Sequence, residues 1–469
     1  MLGVLTSAYA VGVSARFSMQ ILAFVQVMVA SRYLGLAEFG AYALAWAVTV
    51  IANSFVYTGF YQALLRSTDI DRDRDMVFWS MAAIGGGGAV VIALSGLLGG
   101  VGTAAGFALL VLAPVPILRV IAAWNEAHLV RDQRIRWASG HVVISEACAL
   151  LVVVLALQAG WGIMALIAAR YTTAFVELFV TTALVRHRPR MRFSRPGFDE
   201  AQKTAWPLWA TSGLGMFSNY GADLILGAFL NPAAVGAYRG GARISQTVTD
   251  LVMQPLIMLS WSAFTQLEKQ GKHDQMQIAW QDNMRFGAVA MLPILACVAL
   301  LSEEIVAVVF DETWLPAAPI VAILCLARGL RFMTALLEPT LVCMDQAGRQ
   351  LRIRLIGAVL LLVCLLLFGR LSGTAASWAH VVSGLIVAVL SFQAMLPALN
   401  LSPRRAALAF VPGTVLTLVC ALLVVLSEGW RATQSPAMGL ALTVAVLTAL
   451  WLGVVAVSLQ RRWLVVPRP

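Results

Sequence analysis

Long apolar runs separated by short polar breaks recur from one end of the chain to the other. Each run reaches the ~20 residues that a helix needs to cross a bilayer core of about 30 Å. Breaking the runs at charge clusters and at Gly, Pro and Asn turns predicts about fourteen helical spans: 9–31, 39–62, 77–98, 104–124, 138–158, 161–185, 205–230, 234–263, 285–310, 317–343, 353–370, 374–396, 406–427 and 437–460. The connectors alternate between two kinds. One is short and nearly free of Lys and Arg, as in "GGVGT" (99–103) and "LNPAAV" (230–235). The other is longer and basic, as in "NEAHLVRDQRIRW" (125–137) and "RHRPRMRFSRPGFDEAQK" (186–203). An even number of spans with the basic connectors on one side places both termini in the cytoplasm.

Within the apolar runs, polar residues fall at spacings of three and four, which keep them on one helical face. The eighth span carries Arg239, Arg243, Gln246, Asp250 and Gln254, and the seventh Asn219 and Asp223. The second carries Asn53, Tyr57 and Tyr61, and the first Arg16 and Gln20. Arg328 and Arg331, with Glu338 seven residues on, mark the tenth. Charges inside a membrane are costly and face a cavity or a partner. The stripe on the eighth span predicts the wall of a hydrated cationic cavity, the competing reading being an Arg243–Asp250 contact between turns. Arg119, Glu146, Arg170 and Glu177 are also in-span, and Arg170 and Glu177, seven apart, suggest a structural ion pair.

Composition agrees with the spans. Of the 469 residues, 60% are hydrophobic and 12% charged, about half the charge of a soluble protein. The class is an all-α polytopic membrane protein. The net charge of +10 comes chiefly from the basic connectors, so it is explained by membrane topology and no nucleic-acid partner is expected. The start of the chain lacks a basic n-region, and Arg16 interrupts its apolar run, which reads as a retained first helix. The six cysteines stand singly without metal-ligand spacing, and no metal is expected. "GGGG" (85–88) has no following Lys-Ser/Thr and suits close helix approach rather than phosphate binding. The five histidines share no spacing with Ser, Asp or Cys, so no catalytic residue and no cofactor are expected, and the chain reads as a non-enzyme.

"FGAYALA" (39–45) and "VGAYRGG" (235–241) repeat Gly-Ala-Tyr at the start of the second and eighth spans, each after a short basic-poor turn. An offset of six spans preserves direction, so the repeat is parallel, related by an axis along the membrane normal. Two pseudo-symmetric six-helix lobes follow, with two extra C-terminal helices: 1–190 as the N-lobe, 191–203 as a basic cytoplasmic linker, 204–400 as the C-lobe, and 401–469 as spans thirteen and fourteen with a cytoplasmic tail. If the lobes pack symmetrically, the first two helices of each line one central cavity.

The repeat segments also carry a resemblance. "ASRYLGLAEFGAYALAWAV" and "NYGADLILGAFLNPAAVGAYRGGARI" (219–244) resemble the helix junctions of the Wzx-like polysaccharide biosynthesis and oligosaccharide flippase family, within the MOP exporter superfamily. "PLIMLSWSAFTQLEKQGKHDQ" and "EEIVAVVFDETWLPAAPIVAILCL" resemble it more loosely. The resemblance implies alternating access in a bacterial inner membrane and an undecaprenyl-diphosphate-linked glycan as substrate, among membrane lipids and beside polysaccharide polymerase machinery. It implies a cavity of Arg16, Arg239, Arg243, Arg328, Arg331, Asn53, Tyr57 and Asn219, whose guanidinium forks suit a diphosphate. A proton or sodium gradient would drive transport, with Asp223 or Asp250 as coupling residues. The alternatives are a peptidoglycan-precursor flippase, an ion-coupled drug antiporter, and, from another class, a polytopic glycan polymerase or ligase.

Overall fold

A computed structural model describes the backbone of residues 2–185, 187–461 and 464, and the side chains among them from residue 14 onward except that of Arg16. Among the described residues the chain is helical, with no strand. The first nine helices are Leu2–Ser31 (α1), Leu36–Val56 (α2), Phe60–Arg66 (α3), Ile70–Leu98 (α4), Ala104–Leu112 (α5), Val115–Arg131 (α6), Ile135–Gln158 (α7), Ile163–Leu184 (α8) and Arg195–Phe229 (α9). Pro232–Lys269 (α10), His273–Leu300 (α11) and Ser302–Val309 (α12) follow, then a 3-10 turn at Glu312–Ala317. The remainder are Ala318–Met333 (α13), Leu337–Val342 (α14), Ala347–Phe368 (α15), Gly373–Ala398 (α16), Pro403–Leu426 (α17), Glu428–Arg431 (α18) and Pro436–Gln460 (α19).

Every predicted span coincides with a helix or with a broken pair of helices. Eleven segments of the described residues are long and apolar enough to cross a membrane. The three predicted spans outside that set are α1, α9 and α10, all carriers of the polar stripes. Their length is sufficient: α9 has 35 residues and α10 has 38, about 52 and 57 Å at 1.5 Å per residue. Polar residues dilute the hydropathy of α9 and α10, while the fully described part of α1, Phe17–Ser31, is apolar. The protein is an all-α polytopic membrane protein.

Four spans are broken: the ninth between α11 and α12, at Leu301, and three others where the backbone accounts for the break. The second breaks at Gly59, whose φ of +67° is open to glycine without strain. The Trp209 indole of α9 occupies the space a Cβ there would need, and its Nε1–H donates to the Phe55 carbonyl (3.1 Å) at the end of α2. The fourth breaks around Pro114 and Pro116, which lack N–H donors, and the Tyr171 hydroxyl donates to the nearby Val111 carbonyl (2.5 Å). The tenth breaks between α13 and α14 because the ring of Pro339 collides with a helical carbonyl four residues back, at Ala335. That break begins at Thr334, less than one turn after Arg331.

Contacts divide the chain into two compact units, Met1–Arg239 and Gly240–Pro469. The division falls inside α10 and not in the basic connector 191–203, because α9 packs against α2, α3 and α4.

Within the first unit the two Gly-Ala-Tyr copies lie against each other. A Cβ on Gly40 would overlap the Pro232 carbonyl and stand 2.8 Å from the Gly236 nitrogen. A Cβ on Gly236 would overlap the Leu36 carbonyl and stand 3.2 Å from the Gly40 nitrogen. Each glycine thus meets its counterpart and the residue four positions before that counterpart, the reciprocity of a local two-fold. Bare glycine lets the two backbones touch, as at small-residue crossings in membranes. The tyrosines that follow, Tyr42 and Tyr238, are both buried.

In the second unit, Gly413 of α17 packs on the Ala288 backbone of α11, at 2.5 Å from a notional Cβ to the Ala288 carbonyl carbon. Asn283 donates to Ser260 (2.8 Å) between α11 and α10, and the Trp451 indole of α19 donates to the Val289 carbonyl of α11 (2.9 Å). Arg431 is ion-paired with Glu304 on α12.

Candidate functional site

The "RGGAR" that follows the second Gly-Ala-Tyr has a packing role as well as a charge. Gly240 faces the rings of Trp314 and Phe310, and Gly241 faces Ile320 and the Ala317 carbonyl (3.1 Å). The start of α13 therefore lies directly on α10. Further along, Gly287 of α11 admits the ring of Phe332, which is fully buried. Consecutive residues on a helix differ by about 100°, so burying Phe332 turns Arg331 outward, and Arg331 is exposed.

The second unit thus groups several of the sequence-predicted residues. Arg331 lies within electrostatic reach of Arg328, Asp250 and Arg354, and His380 within reach of both Arg328 and Arg331. Asp250 accepts from Gln246 (3.3 Å), one turn away on the α10 stripe. Arg243 is half-buried on the same helix. Glu338 extends the α13 stripe in sequence, but the break before α14 redirects it and it pairs with Arg354. Arg331 therefore has both Arg328 and the α10 carboxylate of Asp250 as neighbours, two guanidiniums to one aspartate.

In the first unit the predicted residues are engaged differently. Asp223 is fully buried and chelated by Arg239, Nε to Oδ1 at 2.9 Å and a second contact from the other arm of the fork. The same guanidinium stacks over the Tyr220 ring at 4.4 Å and reaches the Asn219 carbonyl (3.5 Å). Arg239 and Asp223 neutralise one another, which changes what each offers to a substrate or a coupling ion. Asn53 is buried with its Oδ1 unbonded, and Tyr57 donates to Glu177 at 3.4 Å. The side chain of Arg16 lies outside the described residues.

A larger feature, assembled from residues that sequence spacing leaves scattered, fills the middle of the first unit. Arg170 donates to Tyr42 (3.0 Å) and Gln26 (2.6 Å), pairs with Glu146 (3.6 Å) and lies over the Trp46 ring. Arg119 pairs with Glu177 (3.1 Å) and donates to Thr173 (2.9 Å). Nearer the basic-connector end, Glu126 accepts from Tyr61 (3.1 Å) and faces His141 (3.7 Å). The expected Arg170–Glu177 pair is absent. Two helical turns separate them by about 10.5 Å along the axis, and each meets a partner on another helix instead. The spacing of seven was real, but it marked one face of α8 rather than a bond.

A two-unit, all-helical membrane protein with ionised residues buried in its interior is the class that the fold and these clusters define. Residues 29–319, well over half of the chain, match the polysaccharide biosynthesis protein family, and the chain belongs to that family. It is 24% identical over 321 residues to the succinoglycan biosynthesis transport protein ExoT of Rhizobium meliloti, a match covering 66% of this chain and 63% of that relative. In fold it is similar to the lipid II flippase MurJ in an inward closed conformation (TM-score 0.79, 13% identity, covering 96% of this chain and 98% of that one). It is also similar to a multidrug resistance MATE family transporter of the MOP superfamily in an inward-facing conformation (TM-score 0.66, 13% identity, 81% and 94%). At those identities the likeness is one of fold.

Proposed function

We propose that the protein is a flippase that carries a polyprenyl-diphosphate-linked oligosaccharide from the cytoplasmic to the outer leaflet of a bacterial inner membrane. It works by alternating access, without enzymatic chemistry, and its termini lie in the cytoplasm. The observation that carries the reading is the group on α10 and α13, where two guanidiniums, Arg328 and Arg331, stand beside the single carboxylate of Asp250. An anionic headgroup suits a group rich in guanidinium, which binds a phosphate through two parallel N–H donors. Membership of the polysaccharide biosynthesis family and the relation to a succinoglycan transport protein favour a glycan as the rest of the substrate. The basic connectors favour the stated orientation.

Arg331→Ala and Arg243→Ala are expected to lower glycan export by about tenfold or more in a complementation assay, the worth of one lost charge-assisted contact. Membrane abundance should stay normal, because Arg331 is exposed and Arg243 only half-buried. Full export by Arg331→Ala at normal abundance would remove the diphosphate assignment. Arg331→Lys is expected to recover only part of the loss, since an ammonium lacks the planar fork.

A further inference from the structure

The interior of the first unit holds three carboxylates facing two guanidiniums. Arg119 takes Glu177 and Arg170 takes Glu146, which leaves Glu126 as the odd acid. Its neighbours carry no fixed charge: the Tyr61 hydroxyl at 3.1 Å and the His141 Nε2 at 3.7 Å. The charged groups within its electrostatic reach, Glu177 and Arg119, are already paired with each other. From α4, Asp73, Arg74 and Asp75 point to the basic-connector end, where Asp73 pairs with Arg72, and Arg74 with Asp71. An ionised Glu126 would leave one uncompensated negative charge inside a membrane helix bundle, which is strongly disfavoured. One proton balances the cluster.

We propose that Glu126 and His141 form a proton-binding site of the first unit, with Glu126 holding the proton when the site is loaded. His141 is 1% exposed, and neither of its ring nitrogens makes a hydrogen bond among the described residues. A buried imidazole left unbonded is costly unless it has a second state to enter. The carboxyl beside it supplies that state. When the pair closes from 3.7 Å to hydrogen-bond distance, the Glu126 O–H bond breaks and an Nε2–H bond forms on His141. The result is a carboxylate–imidazolium pair with the same net charge. Glu126 has a side chain 20% exposed, so protons enter and leave through it while His141 stays sealed. The carboxylates first expected to couple transport differ in kind: Asp223 is held by Arg239, and Asp250 faces arginine. What the proton drives rests on the flippase reading above; the site itself does not.

The test is pH-difference infrared spectroscopy of the full-length protein in lipid nanodiscs. Wild-type protein is expected to show a protonated-carboxyl C=O component that disappears on alkalinisation. Glu126→Gln, which can still accept from Tyr61, should lack that component. His141→Phe should change the pH at which it disappears. Glu126→Asp keeps a carboxyl at the site, should show the component at an altered position, and serves if the Gln variant does not fold. Superimposable spectra of wild type and either Glu126 variant would overturn the proposal. The measurement uses no glycan, so its failure would leave the flippase assignment standing, and loss of that assignment would leave the proton site standing.

Discussion

Gly236→Val is expected to leave almost no folded protein in the membrane, with Gly40→Val close behind. The Cβ of either variant would occupy the position of a backbone carbonyl, Leu36 in one case and Pro232 in the other. A flexible side chain could move aside, but here α2 and α10 would have to separate along the crossing. Overpacking ordinarily costs about 1–3 kcal/mol, and a clash with rigid backbone belongs at or beyond the upper end. Gly100→Val supplies the contrast for part of this effect: its backbone conformation is strained for valine (φ +86°), yet the nearest atom is an ordinary 3.6 Å away. If abundance and thermal unfolding of Gly236→Val match the wild type, the crossing of the two motifs is not as tight as described.

Arg119→Ala is the second substitution with a large expected effect. Glu177 is 4% exposed, and Arg119 is its only ion-pair partner among the described residues. Removing one member of a buried pair leaves the other charged or forces it to take a proton, at a cost of about 3–5 kcal/mol. Tyr57 and Ser145, at 3.4 and 3.5 Å, recover part of that. The double variant Arg119→Leu with Glu177→Leu removes both charges and is expected to unfold at a higher temperature than Arg119→Ala alone. Thermal unfolding in detergent of the two variants and the wild type gives the comparison. A double variant less stable than the single would mean that the pair contributes more than mutual neutralisation.

The spans were legible in the sequence because a bilayer demands long apolar runs and because charge divides the connectors. The repeat was legible too, but its meaning was not: Gly40 and Gly236 are 196 positions apart in the chain, and nothing in the spacing says that they touch. Stripes along one helix showed which residues share a face and could not show what that face meets. Arg239 and Asp223 stood on two stripes that the sequence reading joined into one cavity wall, and they proved to hold each other. Arg170 and Glu177 stood on one stripe and were read as partners, yet each bonds across to another helix. Glu126 escaped notice as an interior residue because it sits four positions before the "VRDQRIR" of a basic connector, where carboxylates are ordinarily solvated. Its seven-residue spacing from Arg119 was the available signal, and the burial of α6 gave it meaning. The bend after Arg331, which sends Glu338 to Arg354, follows from Pro339 and could have been read from the chain.

The most direct test of the central claim is the leaflet in which lipid-linked oligosaccharide collects in cells that make the glycan but lack this protein. A flippase predicts complete repeat units on the lipid diphosphate, trapped in the cytoplasmic leaflet and released by the wild-type gene but poorly by Arg331→Ala. Single, unpolymerised units in the outer leaflet would contradict it, because they would show that translocation proceeds without this chain and that its role lies in a later step.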